Sequence, residues 1–144
     1  MVRKLRTNHS VRYPNALRYA AVARRALVEY CRSQGLAETV VEDLRFAGGE
    51  AIANALEHGH REGTYFAIRC SWRDNFLIVE VEDDGPGFRH EDVDPASRAG
   101  RGFGLTIMRE LSDKIEYARE GRVVRLYKQI KPNAASQDTG ENAC

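Results

Sequence analysis

The chain is poor in the features that would staple it, anchor it or bind it by bulk charge. It has three cysteines, Cys31, Cys70 and Cys144, and no CxxC pair. An odd, scattered set of thiols excludes a disulfide framework and a cysteine zinc site, and fits a reducing compartment. No apolar run approaches the roughly 18 residues that a membrane span requires. No apolar stretch follows the early basic residues, so no secretory signal is expected and the expected location is cytoplasmic. Net charge is only +1, which gives no argument for direct nucleic-acid contact.

What is present describes an ordinary folded domain. A chain of 144 residues, 42% hydrophobic and 30% charged, can bury a core without metal or disulfide. One domain is expected over residues 1–130. The polar, small residues of 131–144 read as a disordered tail. Charge is unevenly placed: Arg3, Lys4, Arg6, Arg12, Arg18, Arg24 and Arg25 precede the first acidic residue, Glu29. Such a segment can meet an acidic partner; the plainer reading is a solvated helix face and a mobile end.

Periodicity sets out the elements. An edge strand is expected around Leu5 to Tyr13, and Pro14 suits the first turn of a helix. Leu17, Ala20, Ala23, Leu27 and Tyr30 recur at helical spacing until Gly35. A second helix is predicted from Ala37 to His58, with Val41, Leu44, Ala47, Ile52 and Ala55 on its apolar side. The pair Gly48-Gly49 costs that helix about 1 kcal/mol per glycine, so close approach of a neighbouring backbone or a ligand is expected there. Strands follow at Thr64 to Trp72 and Phe76 to Asp83, joined at Arg73-Asp74-Asn75. Residues 84–101 lack periodicity, and a loop of that length in a small domain is usually functional or disordered. A helix from Gly102 to Ser112 buries Leu105, Met108 and Leu111, and a hairpin pairs Lys114 to Arg119 with Val123 to Ile130.

Three polar clusters lie on this framework. Glu50, Asn54 and His58 in GGEAIANALEHGH are spaced i, i+4, i+8, drift only about 40° per step, and share one helix face. A carboxylate there can polarise an attacking hydroxyl, and an amide can help hold a hydrated Mg²⁺, which takes few protein oxygens beside phosphates. In VEDDGPGF, strand parity turns Asp83 to the side of Leu77, Val79 and Val81. An inward carboxylate needs a donor, and an adenine amino group is one. Gly85 and Gly87 leave room for a planar base. In GRGFGLTIM, Gly102 and Gly104 open a helix start whose free N–H groups suit phosphate, with Arg101 adding charge. Neither a dinucleotide fingerprint nor a Walker-A loop fits. No strand directly precedes these glycines, and no Gly-Lys-Ser/Thr is present.

In this order the clusters resemble the boxes of the GHKL ATPase superfamily: Glu50-x-x-x-Asn54 with His58, then Asp83-x-Gly85-x-Gly87, then Gly100-x-Gly102-x-Gly104. The resemblance covers about residues 14–130. Small size, the EHG ending of the first box and the stretch GFGLTIMRELSDKIEY are most similar to the RsbW/SpoIIAB group, stand-alone bacterial anti-sigma factors that are also serine kinases. It implies an α+β fold: a two-layer Bergerat sandwich, its mostly antiparallel mixed sheet covered by helices on one face. It implies ATP and Mg²⁺, with Asn54 on the metal, Asp83 on adenine and Glu50 as general base toward a serine hydroxyl. The nucleotide-contacting set would be Asn54, His58, Asp83, Gly85, Gly87, Arg101, Gly102, Phe103, Gly104, Leu105 and Thr106, with residues 88–101 as a lid. The implied partners are a sigma factor and an anti-sigma-factor antagonist, and the implied assembly is a homodimer.

One departure stands out. The last hairpin of the group often carries Gly-Thr near a water-mediated adenine contact, and Gly121-Arg122-Val123 stands here. Either adenine recognition rests more heavily on Asp83, or another residue holds that water, with Thr106 as a candidate. Two other functions stay open at this point: a non-catalytic ATP-binding switch that sequesters a partner, and an ATPase domain serving a phosphotransfer histidine on another chain. The absence of an upstream histidine-bearing helix hairpin weighs against a complete histidine kinase, and the Glu50/Asn54 pair favours catalysis.

Overall fold

The computed structural model describes residues 5–59, 64–84 and 102–131. All of the expected loop of 84–101 except Asp84, the turn at 61–63 and nearly all of the expected tail lie outside them. In chain order the elements are β1 (His9–Pro14), α1 (Arg18–Ser33), α2 (Glu38–Gly59), β2 (Tyr65–Arg73), β3 (Phe76–Asp83), α3 (Gly102–Leu111), β4 (Lys114–Ala118) and β5 (Val123–Gln129). The strands form one five-stranded sheet in the order β1-β2-β3-β5-β4. Every pairing among the described residues is antiparallel. The fold is the expected α+β sandwich, with a single helical layer against one sheet face.

The core follows strand parity. Phe66, Ile68 and Cys70 of β2, Leu77, Val79 and Val81 of β3, and Val124 and Leu126 of β5 are buried against Leu27, Leu44, Ala47, Ile52 and Met108 of the helices. The opposite face carries charge instead. Glu80 accepts hydrogen bonds from Arg69 at 2.8 Å and from Arg125 at 2.7 Å, and Glu82 pairs with Arg69 at 2.8 Å and Arg119 at 2.6 Å. Each such partly exposed pair contributes about 0.2–1 kcal/mol. Together they account for the solvent-facing glutamates between apolar residues of β3.

Several expectations change in detail. Pro14 does not open a helix; it ends β1, paired with Tyr65. On an edge strand its missing N–H costs nothing. Leu17 was expected on the apolar stripe of α1, but it precedes the helix and is 80% exposed. Gly35 ends α1 as expected, with φ 78°. Gly48 admits a neighbouring helix rather than a ligand: a Cβ there would collide with Leu27 Cδ2 of α1. Leu105 and Leu111 are only half-buried, while Met108 is fully buried.

The basic start of the chain is partly docked. Arg6 stacks over the Trp72 ring at 4.2 Å and donates to the Asp74 carbonyl at 2.7 Å. Thr7 exchanges two hydrogen bonds with Gln34, both 3.0 Å, and its carbonyl accepts from the Tyr30 hydroxyl at 2.5 Å. These contacts join residues far apart in the sequence, so local patterning cannot announce them. No helix among the described residues is long and apolar enough to cross a membrane.

Candidate active site

Two of the three clusters meet where α2 packs on α3. Glu50 and Asn54 are half-buried on α2, one turn apart. Gly104 is buried in the first turns of α3, and a Cβ placed on it would lie 2.5 Å from Glu50 Oε1. The missing side chain of Gly104 therefore makes room for the Glu50 carboxylate. This role for Gly104 was not legible from a glycine-rich string, which by itself suggested only access for phosphate. His58 lies one turn beyond Asn54 on α2, and its side chain is outside the described residues.

Asp83 ends β3 on the helix-facing side, as strand parity predicts. It is 4% exposed and stands in register with the buried Phe66. Its backbone N–H donates to the Arg122 carbonyl at 2.9 Å, so the Gly121-Arg122 turn abuts the strand end. Next to it, the Asp84 N–H donates to the Tyr65 carbonyl and Asp84 Oδ2 accepts from the Tyr65 N–H, both at 3.1 Å. These bonds hold the backbone at the end of the β2–β3 hairpin, where Asp83 lies.

The remaining expected positions fall in two groups. Gly85, Gly87 and Arg101 lie outside the described residues, as does the segment 88–101 that was expected to be a lid. Gly102 begins α3 and Phe103 follows in it, the Phe103 side chain lying outside the described residues; Leu105 is half-buried and Thr106 is exposed. The first turn of the ten-residue helix α3 offers N–H groups without intrahelical partners, and these suit an anionic ligand.

The arrangement fits a nucleotide. A buried carboxylate at a strand end can accept from an amino group. The Gly104 cradle keeps a second carboxylate close to a helix N-terminus. No group of three or more His, Cys, Asp or Glu among the described residues can hold a metal ion. Asn54 is the described residue whose amide oxygen could help hold Mg²⁺ beside phosphate and water oxygens, the sharing that this ion favours. The described thiols offer no competing nucleophile. Burial pushes Cys31 up to about 12 and raises Cys70 as well, so both stay protonated and unreactive.

One residue of the surroundings, Lys128, escaped the sequence reading. Lys128 faces inward from β5 and donates to Asp43 Oδ2 and to the Leu111 carbonyl, each at 2.9 Å. The signal was available: Lys128 shares strand parity with the buried Val124 and Leu126, where an apolar residue is the rule.

The fold is an α+β sandwich, and its site pairs a buried carboxylate with a helix N-terminus. The "Histidine kinase-like ATPase domain" family matches residues 13–128, and the chain belongs to that family. Curated relatives carry the name serine-protein kinase RsbW. The protein from Bacillus pumilus (strain SAFR-032) is 27% identical over 145 residues, covering 90% of each chain. The one from Listeria monocytogenes (serovar 1/2a, strain EGD-e) is 28% identical, covering 90% of this chain and 95% of its own. Among solved structures, the RsbU and RsbW domains of Rv1364c from Mycobacterium tuberculosis superpose with a TM-score of 0.64 at 19% identity, over 90% of this chain. This chain spans 34% of that longer polypeptide, and the likeness supports the fold alone.

Proposed function

We propose that the protein is an ATP-dependent protein serine/threonine kinase that also sequesters a sigma factor, releasing or capturing it according to the phosphorylation of an antagonist protein. The observation that carries this reading is the Glu50 carboxylate set against Gly104 at the start of α3. The relatives named serine-protein kinase RsbW align with 90% of the chain and support the choice of acceptor. In this reading Glu50 takes the proton of the acceptor serine as its oxygen bonds to the γ-phosphorus of ATP. The bond from that phosphorus to the β,γ-bridging oxygen breaks, and ADP leaves. A general base in hydrogen-bond reach contributes about 10²–10⁴-fold.

Asn54 and His58 would border the phosphates, and Asn54 would hold Mg²⁺, which would supply charge neutralisation there. Asp83 reads the adenine amino group, and Gly85 and Gly87 line the base. Arg101, Gly102, Phe103, Gly104, Leu105 and Thr106 would border the phosphates. The working form is a homodimer in the cytoplasm.

The test uses the full chain with proteins that co-purify from the native cytosol in ADP. After addition of ATP labelled on the γ-phosphorus, label on a serine of a small partner is expected with wild type and absent with Glu50→Gln. Label on a histidine, or bound ATP without any transfer, overturns the reading in favour of the two alternative functions.

A further inference from the structure

Lys128 joins three elements below the candidate site. Its ammonium, on a side chain only 14% exposed, donates at 2.9 Å to Asp43 Oδ2 of α2 and at 2.9 Å to the carbonyl of Leu111, the last residue of α3. A terminal helix carbonyl has no intrahelical partner and lies at the negative end of the helix dipole, so a cation there is doubly favoured. The neighbouring residues of β5 hold the same corner. The Tyr127 carbonyl accepts from the Asp113 N–H at 2.8 Å, and the Gln129 N–H donates to Asp113 Oδ2 at 2.6 Å.

The spacing gives this corner a consequence for the site. Asp43 precedes Glu50 by seven residues on α2, and Gly104 precedes Leu111 by seven residues on α3. Seven residues are about 10.5 Å and close to two full turns, so each pair lies on one face of its helix. Asp43 meets the end of α3 through Lys128, while Glu50 meets its beginning at Gly104. The helices are therefore antiparallel and joined by two matched rungs about 10.5 Å apart. One rung is the candidate catalytic contact. The other is the lysine.

We propose that Lys128 is a positioning residue: its bonds to Asp43 and to the Leu111 carbonyl set the register of α3 on α2 and thereby hold Gly104 against the Glu50 carboxylate. The inference rests on the kinase reading for its catalytic readout only. A lysine that merely stabilised the end of α3 would act on melting and not on the far end of the helix.

The experiment compares Lys128→Met, Asp43→Asn, the double variant and Lys128→Arg in the full chain. Methionine keeps the packed stem and removes the charge. A misplacement of about 1 Å can cost on the order of 10²-fold in rate, so Lys128→Met is expected to lower kcat by about tenfold or more, with ATP affinity within about threefold. Amide exchange at residues 104–108 is expected to quicken about tenfold in the nucleotide-free protein, while exchange in β2 and β3 stays unchanged. Asp43→Asn should match it, the double variant should be no worse than the poorer single, and Lys128→Arg should recover most of kcat. Unchanged exchange at 104–108 in Lys128→Met overturns the inference, as do losses that multiply in the double variant. If wild type transfers no phosphate, the kinase reading fails on its own, and the exchange measurement alone decides the rung.

Discussion

Gly104→Ala separates the two roles a glycine can have at the start of α3. The new methyl would sit 2.5 Å from Glu50 Oε1, so the oxygen must retreat by about 1 Å to regain an ordinary contact of at least 3.4 Å. The atom struck is the far end of a flexible side chain, so rotation of Glu50 absorbs the clash and the backbone stays in place. Alanine also restores about 1 kcal/mol of helix propensity. Stability should therefore hold, with a melting temperature equal to or above that of wild type. Catalysis should not hold: a base displaced by about 1 Å costs on the order of 10²-fold, or about 2.7 kcal/mol of transition-state stabilisation. The assay is phosphoryl transfer from labelled ATP, with calorimetric ATP binding and thermal unfolding measured in parallel. In a Glu50→Ala background the same substitution should cost nothing further. Full turnover by Gly104→Ala would refute the placement of Glu50, and a large fall in melting temperature would refute the claim that only a side chain yields.

Two further outcomes are expected. Asn54→Ala should abolish Mg²⁺-dependent turnover while the fold survives, and calorimetry should show ATP affinity that no longer responds to Mg²⁺; an unchanged Mg²⁺ response would remove Asn54 from the metal. His9, whose ring lies tilted against Tyr30 at 5.3 Å between centroids, has its imidazole held below the ordinary value of 6.5 by burial. The folded protein thus binds that proton less readily than the unfolded chain, so stability should fall as pH drops below about 6.5. Urea midpoints across that range should show a shallower slope in His9→Gln, and an identical slope would exclude His9 as a source.

Much of the architecture was legible because periodicity and burial agree. The strand Phe76 to Asp83 has the expected bounds, and parity turned Asp83 inward beside the core. Helical spacing put Glu50 and Asn54 on one face, and the structure brings Glu50 to Gly104. What stayed hidden depends on tertiary neighbours. Gly48 is explained by Leu27, twenty-one positions away in sequence, and no local rule distinguishes a packed helix from a ligand as the reason for a glycine. Pro14 suits both a first helical turn and an edge strand, and pairing with Tyr65 decides between them. The docking of Arg6 and Thr7 on Trp72, Tyr30 and Gln34 rests on contacts between distant segments, which charge counting along the chain cannot resolve.

The recognition of adenine by Asp83 is the claim on which the nucleotide assignment turns, and calorimetric titration tests it directly. Wild type with Mg²⁺ should bind ATP at least about tenfold more tightly than GTP. Asp83→Asn should lose at least about tenfold in ATP affinity, through loss of a charge-assisted hydrogen bond, while the fold survives. Equal affinity of wild type for ATP and GTP, or an Asp83→Asn variant that binds ATP as tightly as wild type, would contradict the account.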